Sequence, residues 1–351
     1  MTDPATQPHR LLGCDQPLVR RYDVALLDLD GVVYLGHEAI PGVAEALAAV
    51  RSSGMAMAFV TNNASRTPQA VADLLTSLGV AATADQVVTS AQAGARVLAE
   101  RLRPGSTVLV VGSPALRAEV EARGMRIVES AEDRPDGVIQ GFSRDLGWTD
   151  LCEAVAAVRG GAFWVATNTD LTLPSPRGPM PGNGTLVNVV AQVTRATPVA
   201  AGKPEPALHR ESVERTGARD PLVVGDRLDT DIEGAARAGC ASLLVFSGVT
   251  EPAELLSAGP LHRPSFLARD VSGLLTGHPA PRPTEDGWVC GGWQVRIQNE
   301  RLELTGDGDE ELDALRALCD AAWSAGEQSG RWRLVTGGEA AAKAAGQLGL
   351  S

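Results

Sequence analysis

In the stretch "YDVALLDLDGVVYLG" two carboxylates, Asp28 and Asp30, stand directly behind an aliphatic run. Other polar groups close three more such runs. Thr61, Asn62 and Asn63 follow "MAMAFV", Asn168 and Asp170 follow "AFWVAT", and Asp226 follows "PLVVG", with Asp231 five residues beyond it. If the runs are strands of a parallel sheet, these groups lie outside their carboxyl ends, where open parallel sheets hold ligands, and are expected to converge. Asp28, Asp30, Asp226 and Asp231 brought together would repel and raise one another's pKa unless a cation neutralised them. An all-oxygen donor set suits Mg2+, which takes one or two carboxylates and completes its shell with water and phosphate oxygens. Lys203, in "AAGKPEP", adds a fixed positive charge. These parts describe a phosphoryl-transfer site, where catalysis is chiefly positioning and charge neutralisation. A "GxxxxGK[ST]" phosphate loop is absent, because Pro204 follows Lys203. A carboxylate that forms an aspartyl-phosphate is one nucleophile open to such a chain.

Each element has a plainer explanation when taken alone. A DxD pair behind a strand is more often a turn or cap than a catalytic pair. Asp231 alone is a helix cap or a first-turn charge on a helix dipole. Thr61, Asn62 and Asn63 could form a turn, and Lys203 could be an exposed loop residue. Joint occurrence in one order, acidic pair, Thr-Asn-Asn, lysine and then an acidic cluster, decides for chemistry.

The elements that must position these groups alternate in type. Aliphatic strand-like runs at "DVALLDLD", "MAMAFVTNN", "STVLVVGS", "DGVIQGF", "AFWVATN", "PLVVGD" and "ASLLVFSG" are separated by alanine-rich helical segments such as "GVAEALAAVRSSG" and "TDLCEAVAAVRG". That alternation predicts βα units around a parallel sheet. Thr67 and Pro68 predict a capped helix start over "TPQAVADLLTSLGV". The segment "SPRGPMPGNG" reads as a loop, because it is rich in Gly and Pro. From about residue 277, "GHPAPRPTEDG" reads as a linker. A separate small unit is expected beyond it, with strands near "GWQVRIQN" and "RLELTG" and a helix from about Asp309; Trp288, Trp293, Trp323 and Trp332 fall there.

With 351 residues and 44% hydrophobic content the chain can bury the cores of two or three domains. Its net charge of -12 disfavours nonspecific nucleic-acid binding, so an anionic substrate must find its positive charge locally. Five scattered cysteines show no zinc or disulfide spacing and read as reduced thiols. Neither a membrane-spanning run nor the layout of a signal peptide is seen, so a cytoplasmic location is expected.

The four motifs "DLDGVVY" (28–34), "TNN" (61–63), "GKPEP" (202–206) and "GDRLDTDIEGA" (225–235) resemble the haloacid dehalogenase superfamily of aspartate-nucleophile phosphatases. The resemblance implies an α/β chain: a Rossmann-like parallel-sheet core over 1–84 and 195–276, an inserted α/β cap of type II over 85–194, and a small α+β extension over 280–351 that is partly acetyltransferase-like. It makes Asp28 the nucleophile and Asp30 the acid and base. Thr61, Asn62, Asn63 and Lys203 would bind the phosphoryl group, and Asp28, the Asp30 carbonyl, Asp226 and Asp231 would hold Mg2+. In the cap, Arg144, Asn168 and Asp170 would reach the substrate. One departure is Arg227, where the superfamily usually has Asn.

The cap and tail together are similar to actinobacterial members that act on glycerol 3-phosphate, which makes that ester the leading expected substrate. Phosphoglycolate, pyridoxal phosphate and nucleoside monophosphates are the alternatives within the class. A reading of another class is a non-catalytic module that binds a phosphometabolite. The expected partner is a small phosphorylated metabolite, with no nucleic acid and no membrane, and a homodimer would form through the cap or the C-terminal unit.

Overall fold

The structure is a computed structural model and describes residues 10–173, 175, 177–326 and 332–350. Pro176 of the expected "SPRGPMPGNG" loop and the first nine residues of the amino-terminal segment lie outside the described residues. The chain divides into two compact units. One takes the residues up to Leu35, Ala39–Met57 and those from Ala218 on; the other takes Gly36–Glu38 and Ala58–Gly217.

In the first unit, parallel strands lie in the order Phe266–Ala268, Ala241–Val245, Pro221–Gly225 and Val24–Leu27. Ala56, at the start of the next strand, donates its N–H to Asp23 O at 3.0 Å. Val24–Leu27 is buried along its whole length, which is why it reads as an unbroken aliphatic run rather than an alternating one. The register pairs Leu27 with Val224 and Val24 with Pro221, and Asp28 N–H extends the ladder to Val224 O at 2.9 Å. Asp28 and Asp226 therefore leave neighbouring strands at the same end.

The carboxyl-terminal residues belong to this unit too. Four antiparallel strands, Arg282–Thr284, Gly287–Cys290, Trp293–Gln298 and Arg301–Gly306, are joined by Arg333–Gly337, parallel to the last of them. Helix Glu311–Ser324 has every residue from Glu311 to Trp323 buried. Its Leu315, Leu318 and Trp323 share one core with Leu302 and Leu304 of the tail sheet and with Ile232, Leu244, Leu255 and Leu267. Trp323 Nε1 donates to Leu255 O at 2.7 Å, and Arg316 Nη2 to Leu267 O at 2.6 Å.

The expected linker at 277–287 is thereby corrected. His278 is buried and exchanges both main-chain hydrogen bonds with Cys14, at 2.8 and 2.7 Å, and Arg282–Thr284 is a strand. Proline and glycine there mark an edge strand and tight turns, not a free tether.

The second unit holds a parallel sheet in the order Val199–Ala200, Phe163–Ala166, Gly137–Gln140, Thr107–Val111 and Arg126–Val128. Val138, Trp164 and Ala166 pack with Val187 and Val190 of helix Asn183–Thr194 and with Ala154 and Ala157 of helix Trp148–Arg159. Strand Val87–Thr89 does not join this sheet but pairs with Phe59–Thr61. The segment expected as an insertion over 85–194 thus opens on a strand of another sheet, and the inserted sheet's own edge strand lies beyond residue 194. Helix Pro68–Ser77 starts as its sequence predicts, with Ala70 N–H donating to Thr67 Oγ1 at 3.2 Å and Pro68 in the first turn.

The reading of "SPRGPMPGNG" as a loop is corrected in part. Met180–Pro181 pairs with Thr172–Leu173, and Asn183 opens a 12-residue helix. A Cβ at Gly182 would meet Asp170 O at 2.3 Å, and one at Gly184 would meet Thr169 O at 2.1 Å. The glycines are there for close backbone approach, not for disorder.

Candidate active site

Three carboxylates converge in the first unit. One oxygen each of Asp28, Asp226 and Asp231 lies within 4.8 Å of the other two. Asp226 and Asp231 are 1% exposed, so solvent screens their charges little. At that spacing each like-charged pair costs about 3 kcal/mol at an effective dielectric constant of about 20. A cation must balance them.

Local structure forces the convergence. Asp226 follows its strand directly, its Oδ2 accepts from Val249 N–H at 2.8 Å, and its carbonyl accepts from Thr250 N–H at 3.2 Å. Asp231 sits in a π-helical turn, Leu228–Ile232, and its Oδ2 accepts from Arg227 N–H at 3.2 Å. Such turns widen a helix by one residue and recur at functional sites. Glycines enclose the acids. A Cβ would fall 2.3 Å from Asp226 Oδ2 at Gly31, 2.0 Å from it at Gly248, and 2.1 Å from Asp231 Cβ at Gly225. Hard oxygens in a tight glycine cradle fit a small divalent ion such as Mg2+. Asp30 is exposed at a turn in which its neighbour Gly31 donates to Tyr34 O at 2.8 Å, and Ser247 Oγ fixes Gly31 O at 2.7 Å.

The second unit assembles the remaining polar groups around Asn62. Its Oδ1 accepts from Lys203 N–H at 2.8 Å, and its Nδ2 donates to Lys203 O at 3.1 Å and to the Asp170 carboxylate at 3.2 and 3.3 Å. The Asn62 carbonyl accepts from Asn168 Nδ2 at 2.7 Å and from Ser90 Oγ at 2.5 Å. Thr61 Oγ1 accepts from Asn63 N–H at 3.1 Å, while Asn63 Oδ1 accepts from Ser65 N–H at 2.7 Å. Lys203, 4% exposed, brings Nζ to 3.4 Å from Val60 O. Gly202 admits this loop, since a Cβ there would meet Asn62 Oδ1 and Thr167 O at 2.6 Å. His209, on helix Pro206–Thr216, is fully buried; burial, with the nearby Lys203 ammonium adding to it, pushes its pKa down to about 3.

The residues expected in the site fall into groups. Asp28, Asp226 and Asp231 come together in one unit; in the other, Asn62, Asn168, Asp170 and Lys203 form one linked network, flanked in the chain by Thr61 and Asn63, which bond to each other. Asn168 and Asp170 are engaged with Asn62, and Arg144 is exposed on the segment before helix Trp148–Arg159. Arg227 forks onto Asp229, at 3.1 and 2.8 Å. Sequence reasoning missed Ser90, Asn183, His209 and the glycines at 31, 225 and 248. Of these only the glycines carried a signal, each standing next to or near a motif acid or following a strand.

Comparison with known proteins gives this geometry its family. Residues 25–126 match the haloacid dehalogenase-like hydrolases, residues 200–274 match a second group of the same hydrolases, and residues 290–350 match a GCN5-related N-acetyltransferase like domain. The chain belongs to the haloacid dehalogenase-like hydrolases. Among its relatives is the D-glycerol 3-phosphate phosphatase of Mycobacterium tuberculosis, 44% identical over 88% of this chain and 88% of that one. The crystal structure of a glycerol phosphate phosphatase from the same organism in complex with magnesium superposes with a TM-score of 0.88 at 43% identity, covering 96% of this chain and 100% of that one. The 5'-nucleotidase YutF of Bacillus subtilis is 36% identical over 66% of this chain and 90% of its own. No helix among the described residues is long and apolar enough to cross a membrane.

Proposed function

We propose that this protein is a magnesium-dependent phosphomonoesterase that hydrolyses glycerol 3-phosphate to glycerol and phosphate through an aspartyl-phosphate on Asp28. The observation that carries the reading is the enclosed set of Asp28, Asp226 and Asp231, in a chain 44% identical to a D-glycerol 3-phosphate phosphatase. Full-length similarity, tail included, favours that ester over phosphoglycolate, pyridoxal phosphate or a nucleotide, because YutF matches only 66% of the chain.

In the first step an Asp28 oxygen attacks phosphorus as the bond to the glycerol oxygen breaks, and the Asp30 carboxyl gives that oxygen its proton. In the second, Asp30, now a carboxylate, takes a proton from a water whose oxygen attacks phosphorus and frees Asp28. Thr61 and Lys203 bind the phosphoryl oxygens and offset their charge. Asp28, the Asp30 carbonyl, Asp226 and Asp231 would hold Mg2+, which when bound supplies positive charge for the transferring group. The inserted sheet with its helices, expected over 85–194 and extended by its edge strand Val199–Ala200, serves as the cap that selects the leaving group, with Arg144 one of its exposed basic residues.

The same reading places the enzyme in the cytoplasm, where thiols such as its five cysteines stay reduced. It needs neither nucleic acid nor membrane, and light scattering tests the expected homodimer. Phosphate release is measured from a panel of small phosphate esters, with magnesium and with a chelator. The reading expects the highest kcat/KM for glycerol 3-phosphate, loss of turnover with chelator, and none in Asp28→Asn. Turnover indifferent to chelator would defeat it, and a different preferred ester would replace the substrate.

A further inference from the structure

Asn62 is the knot of the second unit. Its carboxamide is saturated: Lys203 N–H needs an acceptor, which fixes Oδ1 towards it, and both Nδ2 hydrogens are then committed, one to Lys203 O and one to Asp170. The loop bearing Asp170 is itself clamped. Gly184 N–H donates to Asp170 O at 2.9 Å, Gly182 N–H to Leu171 O at 2.8 Å, and Asn183 Nδ2 to Asn168 O at 2.7 Å. The first turn of helix Asn183–Thr194 therefore holds Asn168 and Asp170, these hold Asn62, and Asn62 holds the Lys203 main chain. Asn183 is 1% exposed with its amide in this chain, so "NGT" at 183–185 offers no accessible glycosylation acceptor.

We propose that Asp170 is a positioning residue: through Asn62 it fixes the Lys203 loop beside Thr61, and so sets where the lysine ammonium meets a phosphoryl group. This rests on the phosphatase reading above. A carboxylate suits the task because it accepts the Asn62 Nδ2–H on both oxygens, and a charge-assisted acceptor is about twice as strong as a neutral one. Asp170 then acts on phosphate binding and on the chemical step, not on the identity of the alcohol.

The test uses the full-length protein, with Asp170→Ala, Asp170→Asn, Asn62→Ala and the Asn62→Ala/Asp170→Ala pair. Each is assayed on glycerol 3-phosphate and on a generic aryl phosphate, with inorganic phosphate binding followed by calorimetry. A misplacement near 1 Å costs on the order of 100-fold. Asp170→Ala should lose about that much kcat/KM on both esters alike and bind inorganic phosphate more weakly. Asp170→Asn should recover part of the loss, and the double variant should lose no more than the worse single one. A rise in KM confined to glycerol 3-phosphate would mean that Asp170 reads the alcohol, and additive losses would mean that it does not work through Asn62; either overturns the proposal. If Asp170→Ala fails to fold, Asp170→Asn carries the same comparison. If the wild type hydrolyses neither ester, the phosphatase reading fails, and phosphate calorimetry alone still decides between weakened and unchanged binding in Asp170→Asn.

Discussion

His209 makes stability depend on pH in a direction that can be worked out. It is 1% exposed, and neither ring nitrogen has a hydrogen-bond partner among the described residues. In the folded chain its pKa is about 3, against 6.5 as the ordinary value it regains on unfolding. Above pH 6.5 both states carry the neutral ring. As pH falls below 6.5 the unfolded chain takes up a proton that the folded chain refuses until pH nears 3, so stability drops by about 1.4 kcal/mol per pH unit. From pH 7 to pH 5 the loss is about 2 kcal/mol. Buried Asp313 and Asp320, whose carboxyls burial pushes up, act in the opposite sense, losing stability as pH rises. The comparison must therefore be a difference between two proteins. Replacing His209 with Leu removes the titrating ring and its two unpartnered nitrogens, and should leave stability at pH 7 unchanged or higher. Urea unfolding of wild type and His209→Leu, followed by tryptophan fluorescence at pH 5, 6, 7 and 8, should show the gap widening by about 2 kcal/mol towards pH 5. A gap that stays flat, or a His209 proton resonance titrating near 6.5, would refute the reasoning.

Three further perturbations follow from particular contacts. Gly248→Ala would push a methyl group onto Asp226, so magnesium should be needed at a higher concentration for half-maximal turnover, while the unfolding midpoint in chelator moves little. Trp323→Ala opens the core shared with Leu255 and takes away one of the two donors to Leu255 O, leaving Ala258 N–H at 3.0 Å; it should cost about 3–5 kcal/mol in denaturant unfolding, and a chain cut before residue 280 should not stay soluble. Arg227→Ala breaks an exposed pair with Asp229 and should change stability by less than about 1 kcal/mol, with kcat within about two-fold of wild type.

How much the sequence revealed depended on how local the signal was. Asp28, Asp226 and the Thr61 segment were legible because a fully buried parallel strand must be aliphatic throughout, so the first polar residue marks its carboxyl end. Thr67 and Pro68 announced a helix start because capping is settled within one turn. Short edge strands such as Val87–Thr89, Arg126–Val128 and Val199–Ala200 escaped, because two or three residues carry no periodicity. The glycines of "PGNG" read as a loop because a sequence does not say whether glycine serves a turn or a backbone contact.

By itself, then, the order of motifs determined the kind of chemistry and named the residues expected to carry it: aliphatic run and carboxylate, Thr-Asn-Asn, lysine, acidic pair. Only the tertiary structure decided what Asn168 and Asp170 touch. Asn62 meets Asp170 across 108 positions and Lys203 across 141, and such contacts follow from how sheets and helices pack, not from any local pattern. The tail was decided in the same way. Its helix Glu311–Ser324 is buried on every side because Leu255 and Leu267, far back in the chain, lie where its apolar surface can leave water.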